Sequence, residues 1–425
     1  MPRLDPEQLV RDAEACVRCG LCLSVCPTYR ETGLEIQSPR GRVMLYAAYA
    51  QGQVNDRAAV LEAAYDCLDC RACQSVCPMG VRPGEAALDA RVTLQAGRPA
   101  NPLVKWALAF FHYPWLVDLA NLLLVLYQRL GLQRLVRRTR LLERLGLGKL
   151  QFAEALLPER PIHLALRLTY PRRLPAVGEE RGTVAFFLGC VMNLVFSEAS
   201  RATVEVVRRA GYAVEIPRET TCCGAPHIEE GDLEGFEALA KRNLEYYGRL
   251  EVDYILTDCA ACGAELKKYA RHFKDDPVYG PLAERVRART VMFSEFLRRA
   301  GLPEGVRFPF ATTHQQACHA CHAQGVYREP RAVLAEIADY RPLVGEMDCC
   351  GSAGVYNLTH TETSMRLLEA KMQRVKESGA EVLTVENPGC LLQLDLGARR
   401  HAPGLKVRHL SEVVWAALQE QRSEK

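Results

Sequence analysis

With a formal net charge of only +3 over 425 residues, the chain has no electrostatic reason to seek nucleic acid, and no such partner is expected. Lysine is scarce, 10 of the 54 basic residues, so the arginine bias reads as a trait of composition rather than of one site. No G-x-G-x-x-G turn or other dinucleotide signature occurs, which leaves hydride chemistry to another protein. A bilayer-spanning helix needs about 20 mainly apolar residues. The longest uninterrupted stretch, Leu119 to Tyr127, is far shorter and includes Asn121. The N-terminus reaches its first cysteine at Cys16 without an apolar core, so a cleaved export signal is not expected and a cytoplasmic setting is.

Cysteine is abundant instead, 18 residues in all. In a long chain whose thiols fall at metal-ligand spacings, this indicates a reduced, metal-binding protein rather than a disulfide scaffold. Cys16, Cys19, Cys22 and Cys26 precede Pro27, and Cys67, Cys70, Cys73 and Cys77 precede Pro78, so both runs read C-x2-C-x2-C-x3-C-P. In that spacing three thiolates wrap one four-iron cluster and the fourth reaches across to the other. The expected sets are Cys16, Cys19, Cys22 and Cys77 for one [4Fe-4S] cluster, and Cys67, Cys70, Cys73 and Cys26 for the second. Zinc uses pairs or quartets of Cys and His, but it does not call for this pattern twice.

The chain divides into four stretches. Residues 1–100 hold both cysteine runs and are expected to be helical: Ser38 can cap a helix that opens with Pro39, and forty residues separate Cys26 from Cys67. Residues 101–180 lack cysteine and are rich in leucine, interrupted by Lys105, His112, Pro114 and Asp118. There Arg129, Arg134, Arg137, Arg138, Arg140, Arg144 and Lys149 are opposed by Glu143 alone, among leucines and valines at helical intervals. Such a basic amphipathic stretch suits the anionic inner face of the cell membrane, as a peripheral contact, or a partner protein.

Residues 181–305 alternate strand and helix: strands at Thr183 to Leu188, Tyr212 to Ile216 and Tyr254 to Thr257, and a helix from about Asp232 to Leu250. Residues 306–425 repeat the order, with strands at Phe308 to Thr313 and Val382 to Val385 and a helix near Glu362 to Lys376. Phe293-Ser294-Glu295 and Leu410-Ser411-Glu412 open matching helices, so an internal duplication is expected. The fold class is therefore α plus α/β, a helical domain followed by two parallel α/β units.

In the first unit Cys190, Cys222, Cys223, Cys259 and Cys262 all follow strands, where ligands gather in open parallel sheets. Gly224 lets the Cys222-Cys223 backbone turn so that both sulfurs can face one centre. An iron-sulfur cluster is expected there. The second unit keeps Cys318, Cys349, Cys350 and Cys390, with Gln393 read as standing in the place of Cys262. A further cluster can be accommodated in this second unit. Cys321 is a weak substitute ligand, and His314, His319 and His322 are weaker candidates still.

The two C-x2-C-x2-C-x3-C-P runs, SPRGR at 38–42, CCGAPH at 222–227, CCGSAGVYNL at 349–358 and NPGCLLQ at 387–393 resemble the glycolate oxidase iron-sulfur subunits over nearly the whole length. More broadly, the chain is similar to proteins that join a two-cluster ferredoxin domain to tandem cysteine-rich CCG domains. Among these, heterodisulfide reductase holds a noncubane [4Fe-4S] cluster on five cysteines spaced like Cys190 to Cys262. HQQACHAC at 314–321 departs from the family's usual HDPCH. The resemblance implies FAD-containing partner subunits that oxidise a 2-hydroxy acid, usually glycolate to glyoxylate, with this chain carrying electrons toward a membrane quinone. A flavin is the expected converter between two-electron hydride chemistry and one-electron centres. The alternatives are a thiol/disulfide reductase and the iron-sulfur subunit of a glycerol-3-phosphate or D-lactate dehydrogenase.

Overall fold

The computed structural model describes residues 6–95, 102–302 and 305–423. The expected boundary at 100/101 lies outside the described residues, as do residues 303 and 304 beside the one at 305/306. The first stretch is helical. Pro6–Ala15, Pro39–Ala50, Arg57–Tyr65 and Pro83–Gln95 enclose a small core of Tyr46, Val60, Ala64, Ala87 and Leu94, with alanines allowing close helix approach. Ser38 caps its helix by accepting from the Gly41 N–H at 2.9 Å, and Pro39 follows at the first position.

The leucine-rich stretch folds as a run of helices, the longest being Pro114–Arg129. Among the described residues no single helix is long and apolar enough to cross a membrane, and Trp106–His112 meets Pro114–Arg129 at 109°. The polar interruptions pin its inner side to the first α/β unit. Buried Asn121 donates to the Leu194 carbonyl (2.9 Å) and Asp118 accepts from Asn193 Nδ2 (3.0 Å), while within the stretch Asn121 also donates to the His163 carbonyl (3.0 Å) and Asp118 takes the Arg167 guanidinium at 2.9 Å. Arg137 does not belong to the basic face that the sequence offered to a membrane or a partner. It is clamped by Glu154 (3.0 Å), Glu159 (3.1 Å) and the Leu157 carbonyl (2.8 Å). The outer side is left bare, with Trp106 81 %, Trp115 63 % and Leu130 70 % exposed, alongside Arg134 and Arg138.

Eight strands follow: β1 (Arg173–Leu174), β2 (Gly182–Phe186), β3 (Tyr212–Glu215), β4 (Tyr254–Thr257), β5 (Thr290–Met292), β6 (Thr312–His314), β7 (Val382–Val385) and β8 (Lys406–His409). The first sheet runs β1-β3-β2-β4-β5, parallel except for β1, which pairs antiparallel with β3. The second sheet, β6-β7-β8, is parallel, and a lone parallel bridge from Thr312 to Tyr340 stands where the first repeat has β3. The strand expected at Phe308 to Thr313 starts later because Pro309 has no N–H for a ladder. Strands β5 and β8 escaped the sequence reading: β5 is three residues long, and β8 carries Lys406 and Arg408 as a charged edge. Phe187, Tyr247, Ile255, Met372, Leu383 and Leu394 belong to one buried cluster, so both repeats share a core.

Register fixes which residues of the repeats correspond. Thr257 pairs with Met292 and Val385 with His409, and those partners directly precede the matching helices at Phe293 and Leu410. Thr257 therefore corresponds to Val385, Cys259 to Asn387 and Cys262 to Cys390. Cys259 and Asn387 each sit at the N-cap of the helix that follows. This corrects the alignment of Gln393 with Cys262: Gln393 matches Glu265, and the cysteine missing from the second repeat is the one at Asn387.

Candidate iron-sulfur sites

Cys16, Cys19, Cys22 and Cys77 line one cavity of the helical domain, and Cys26, Cys67, Cys70 and Cys73 line another. The fourth thiol of each run thus lies with the other run's first three. Both loops use the same backbone device. Arg18 (φ 55°) and Gly20 (φ 80°) flank Cys19, while Asp69 (φ 46°) and Arg71 (φ 61°) flank Cys70. Left-handed residues on both sides of the middle cysteine curl the chain into a concavity whose N–H groups suit an anionic group. Among the described residues no three Cys, His, Asp or Glu close up as ligands of one ion, and these thiols stand around a space instead. Buried Arg42 donates to the Ala63 carbonyl and to Thr28 Oγ1, both at 3.0 Å, and its charge lies near Cys67 and Cys26. Arg71 and Asp69 form a buried ion pair at 3.2 Å beside Cys70. A thiolate-bound cluster carries net negative charge, and these cations are placed to compensate it.

The five thiols of the first repeat converge beyond β2, β3 and β4. Cys222 stands between Cys190 and Cys223, and Cys262 between Cys223 and Cys259. The Gly224 N–H donates to Cys222 Sγ at 3.4 Å and the Cys262 N–H to Cys259 Sγ at 3.3 Å. Neighbouring thiols, and then burial, push Cys222 and Cys262 well above the ordinary thiol range. Such thiols become ligands only when a cation displaces their protons, the behaviour of a metal site. Phe111, from the leucine-rich stretch, packs over Cys190, Cys222 and Leu239. Next to it the His112 ring meets the buried His227 ring edge-on at 4.8 Å. Sequence reasoning missed this roof, because nothing local to Phe110-Phe111 signals a contact with residues 79 to 128 positions away.

In the second repeat Cys349 lies between Cys318 and Cys350, Cys350 Sγ is 3.2 Å from Cys390 Sγ, and the Gly351 N–H donates to Cys349 Sγ at 3.4 Å. Cys321 corresponds to Asn193 of the first repeat. Its Sγ sits 3.7 Å from the Cys318 carbonyl, and burial pushes its thiol up to about 12. The three histidines have other partners. His314 bonds Thr384 Oγ1 at 2.8 Å, with burial holding it neutral at about 3; His319 bonds the Asp69 carbonyl at 2.9 Å; His322 bonds Ser75 Oγ at 3.0 Å. Gln393 bonds Asn357 (3.1 Å) and Ser364 (2.9 Å).

The helical domain is tied to the first repeat through Arg91, which donates to the Cys67 carbonyl and, at 2.9 Å, to the Glu229 carbonyl. Burial raises the Glu229 carboxyl from 4.5 to about 7. Because the folded-state value is the higher one, this group favours the fold fully below about pH 4.5, and that contribution is lost as the pH rises through 7. Glu229→Gln should therefore remove roughly 2.5 kcal/mol of the fall in stability between pH 5 and 8, measured by urea unfolding at both values.

Residues 12–81 match the 4Fe-4S dicluster domain, 184–267 and 312–395 the CCG cysteine-rich domain, and 100–157 the linker region of the glycolate oxidase iron-sulfur subunit. The probable glycolate oxidase iron-sulfur subunit of Bacillus subtilis (strain 168) is 36 % identical over 98 % of this chain and 95 % of its own length. The glycolate oxidase iron-sulfur subunit of Escherichia coli (strain K12) is 29 % identical over 98 % and 96 %. Lactate utilization protein A of an Exiguobacterium species is 30 % identical over 54 % of this chain and 96 % of its own length. With its two crossed thiol sets, its duplicated cysteine-rich units and a linker of the same kind between them, the chain belongs to the family of glycolate oxidase iron-sulfur subunits.

Proposed function

We propose that the chain is the electron-transfer subunit of a flavin-dependent, membrane-associated dehydrogenase of glycolate or a similar 2-hydroxy acid. It takes electrons from the flavin of FAD-containing partner subunits and passes them toward quinone. The observation that carries this reading is the succession of thiol constellations from the crossed ferredoxin sets into both cysteine-rich units, in a chain with no dinucleotide signature of its own. Two [4Fe-4S] clusters at the ferredoxin sets, and iron-sulfur clusters at the two CCG sites, would supply one-electron centres. The chain's own residues hold these centres in fixed places, shield them from water and compensate their charge. Against the disulfide-reductase reading stands the burial of the first site: its five thiols are at most 6 % exposed and Phe111 covers Cys190 and Cys222. The test mixes the reconstituted chain with its flavoprotein partners and glycolate under argon. Iron-sulfur absorbance should bleach only when both are present. Disulfide reduction by the chain alone with a reduced dye would overturn this reading.

The bare outer side of the linker is the membrane contact in this reading, on the inner face of the cell membrane. Exposed tryptophans and leucines beside Arg134 and Arg138 suit the boundary of an anionic bilayer, where each basic residue contributes about 1 kcal/mol. Reversing both charges, Arg134→Glu with Arg138→Glu, should lower co-sedimentation with phosphatidylserine vesicles by at least roughly tenfold. Arg137 is left out because its role in the fold would confound the result. Unchanged sedimentation would assign this surface to a partner protein.

A further inference from the structure

We propose that electrons leave the ferredoxin half through the second cysteine-rich site and reach the five-cysteine site only from there, across Asn387. The relay then runs from Cys16, Cys19, Cys22 and Cys77 to Cys26, Cys67, Cys70 and Cys73, next to Cys318, Cys349, Cys350 and Cys390, and last to the first-repeat thiols. This order rests on the electron-transfer reading above and deepens it.

On the ferredoxin side, Cys70 and Cys349 belong to one buried apolar cluster with Leu68 and Tyr356, and Cys318 packs against it. Outside its own set, the strongest thiol neighbours of Cys70 are Cys349 and Cys318. His319, the residue after Cys318, bonds the carbonyl of Asp69, the residue before Cys70, at 2.9 Å. His322 bonds Ser75 at 3.0 Å. Contacts from the ferredoxin half to the first repeat do not join thiols: Tyr65 and Arg91 donate to the carbonyls of Glu230 (3.1 Å) and Glu229 (2.9 Å), Arg271 pairs with Glu85, and Val92 enters the buried cluster that holds Cys223, a cluster that contains no ferredoxin thiol.

On the far side, Asn387 occupies the position that Cys259 holds in the first repeat and links the two sites. Its Nδ2 donates to Cys390 Sγ at 3.5 Å; its Oδ1 accepts from the Ala261 N–H at 3.2 Å and lies 3.8 Å from Cys259 Sγ. Tunnelling decays exponentially with distance and favours bonded paths over gaps. The asparagine thus gives up a ligand position and provides a hydrogen-bonded bridge of two contacts. One electron moves per step, and no bond to the chain forms or breaks.

The test uses the full chain, reconstituted anaerobically with iron and sulfide, reduced with dithionite and examined by electron paramagnetic resonance. Beyond the coupling within the ferredoxin pair itself, spin coupling to the second site should further broaden the signal of the Cys26, Cys67, Cys70 and Cys73 set in the parent protein. Cys349→Ser should lose that further broadening together with iron, whereas Cys223→Ser should lose iron and retain it. Three results would overturn the order: a parent signal no broader than that of the Cys349→Ser chain, loss of the further broadening in Cys223→Ser instead, or iron content untouched by Cys349→Ser. Asn387→Leu should keep full iron and shift the second site's midpoint potential downward, because an N–H···S bond favours the reduced state. An unmoved potential would take Asn387 out of the path. None of these readouts involves substrate, so a chain with the expected coupling that accepts no electrons from a flavoprotein would refute the functional reading alone.

Discussion

In the proposed complex, Cys70→Ser should reduce electron delivery to the final acceptor to background while leaving the proposed flavoprotein partner able to be reduced by its substrate. Cys70 is the middle thiol of its loop, held between the left-handed residues Asp69 and Arg71 and buried against Cys349. A serine hydroxyl is a harder, more weakly binding donor for iron than a thiolate. The substitution therefore removes the thiol that stands where the ferredoxin half meets the second repeat. Stopped-flow mixing with substrate should show full bleaching of the partner's flavin, and steady-state turnover with a soluble quinone should show none. Normal quinone reduction by this variant would mean that the thiol set containing Cys70 is not on the path.

Gly224→Ala should empty the first cysteine-rich site and cost about 2–4 kcal/mol of stability. Gly224 sits at φ +88°, a left-handed conformation that disfavours a side chain, and an added Cβ would lie 2.8 Å from Phe236 Cδ2. Phe236 cannot readily yield, because it is fully buried and its ring meets Tyr269 at 6.0 Å and His272 at 4.7 Å. The same glycine's N–H bonds Cys222 Sγ, so relieving the clash moves the thiol. Gly33→Ala is the control: its φ is +68°, nothing lies within 4 Å of the added atom, and only the conformational cost of about 1 kcal/mol should appear. Urea unfolding with iron and sulfide counts on both variants separates the outcomes. Full iron in Gly224→Ala would show that the turn does not position Cys222.

The crossed ferredoxin sets were legible in the sequence because their geometry is written in spacings of two and three residues within one loop. The strand-end placement of Cys190, Cys222 and Cys259 was legible for a similar reason, since apolar runs followed by glycine or cysteine mark where a strand stops. The position of the missing ligand was not. Matching the repeats by their cysteines put Cys390 against Cys259, but ladder register and the shared N-cap position place Asn387 there, and register is a property of paired strands. Arg137 illustrates another limit: its neighbours in sequence are basic, while the acids that hold it lie at Glu154 and Glu159. Phe111 is a third case, an aromatic in a leucine-rich stretch whose contact exists only once the linker has docked.

That docking bears on how the protein is made. With Phe111 settled against Cys190 and Cys222, no thiol of the five-cysteine site is more than 6 % exposed. A site so enclosed fills faster before the linker docks than after, so the order of linker docking and cofactor insertion becomes a matter of rate during biogenesis.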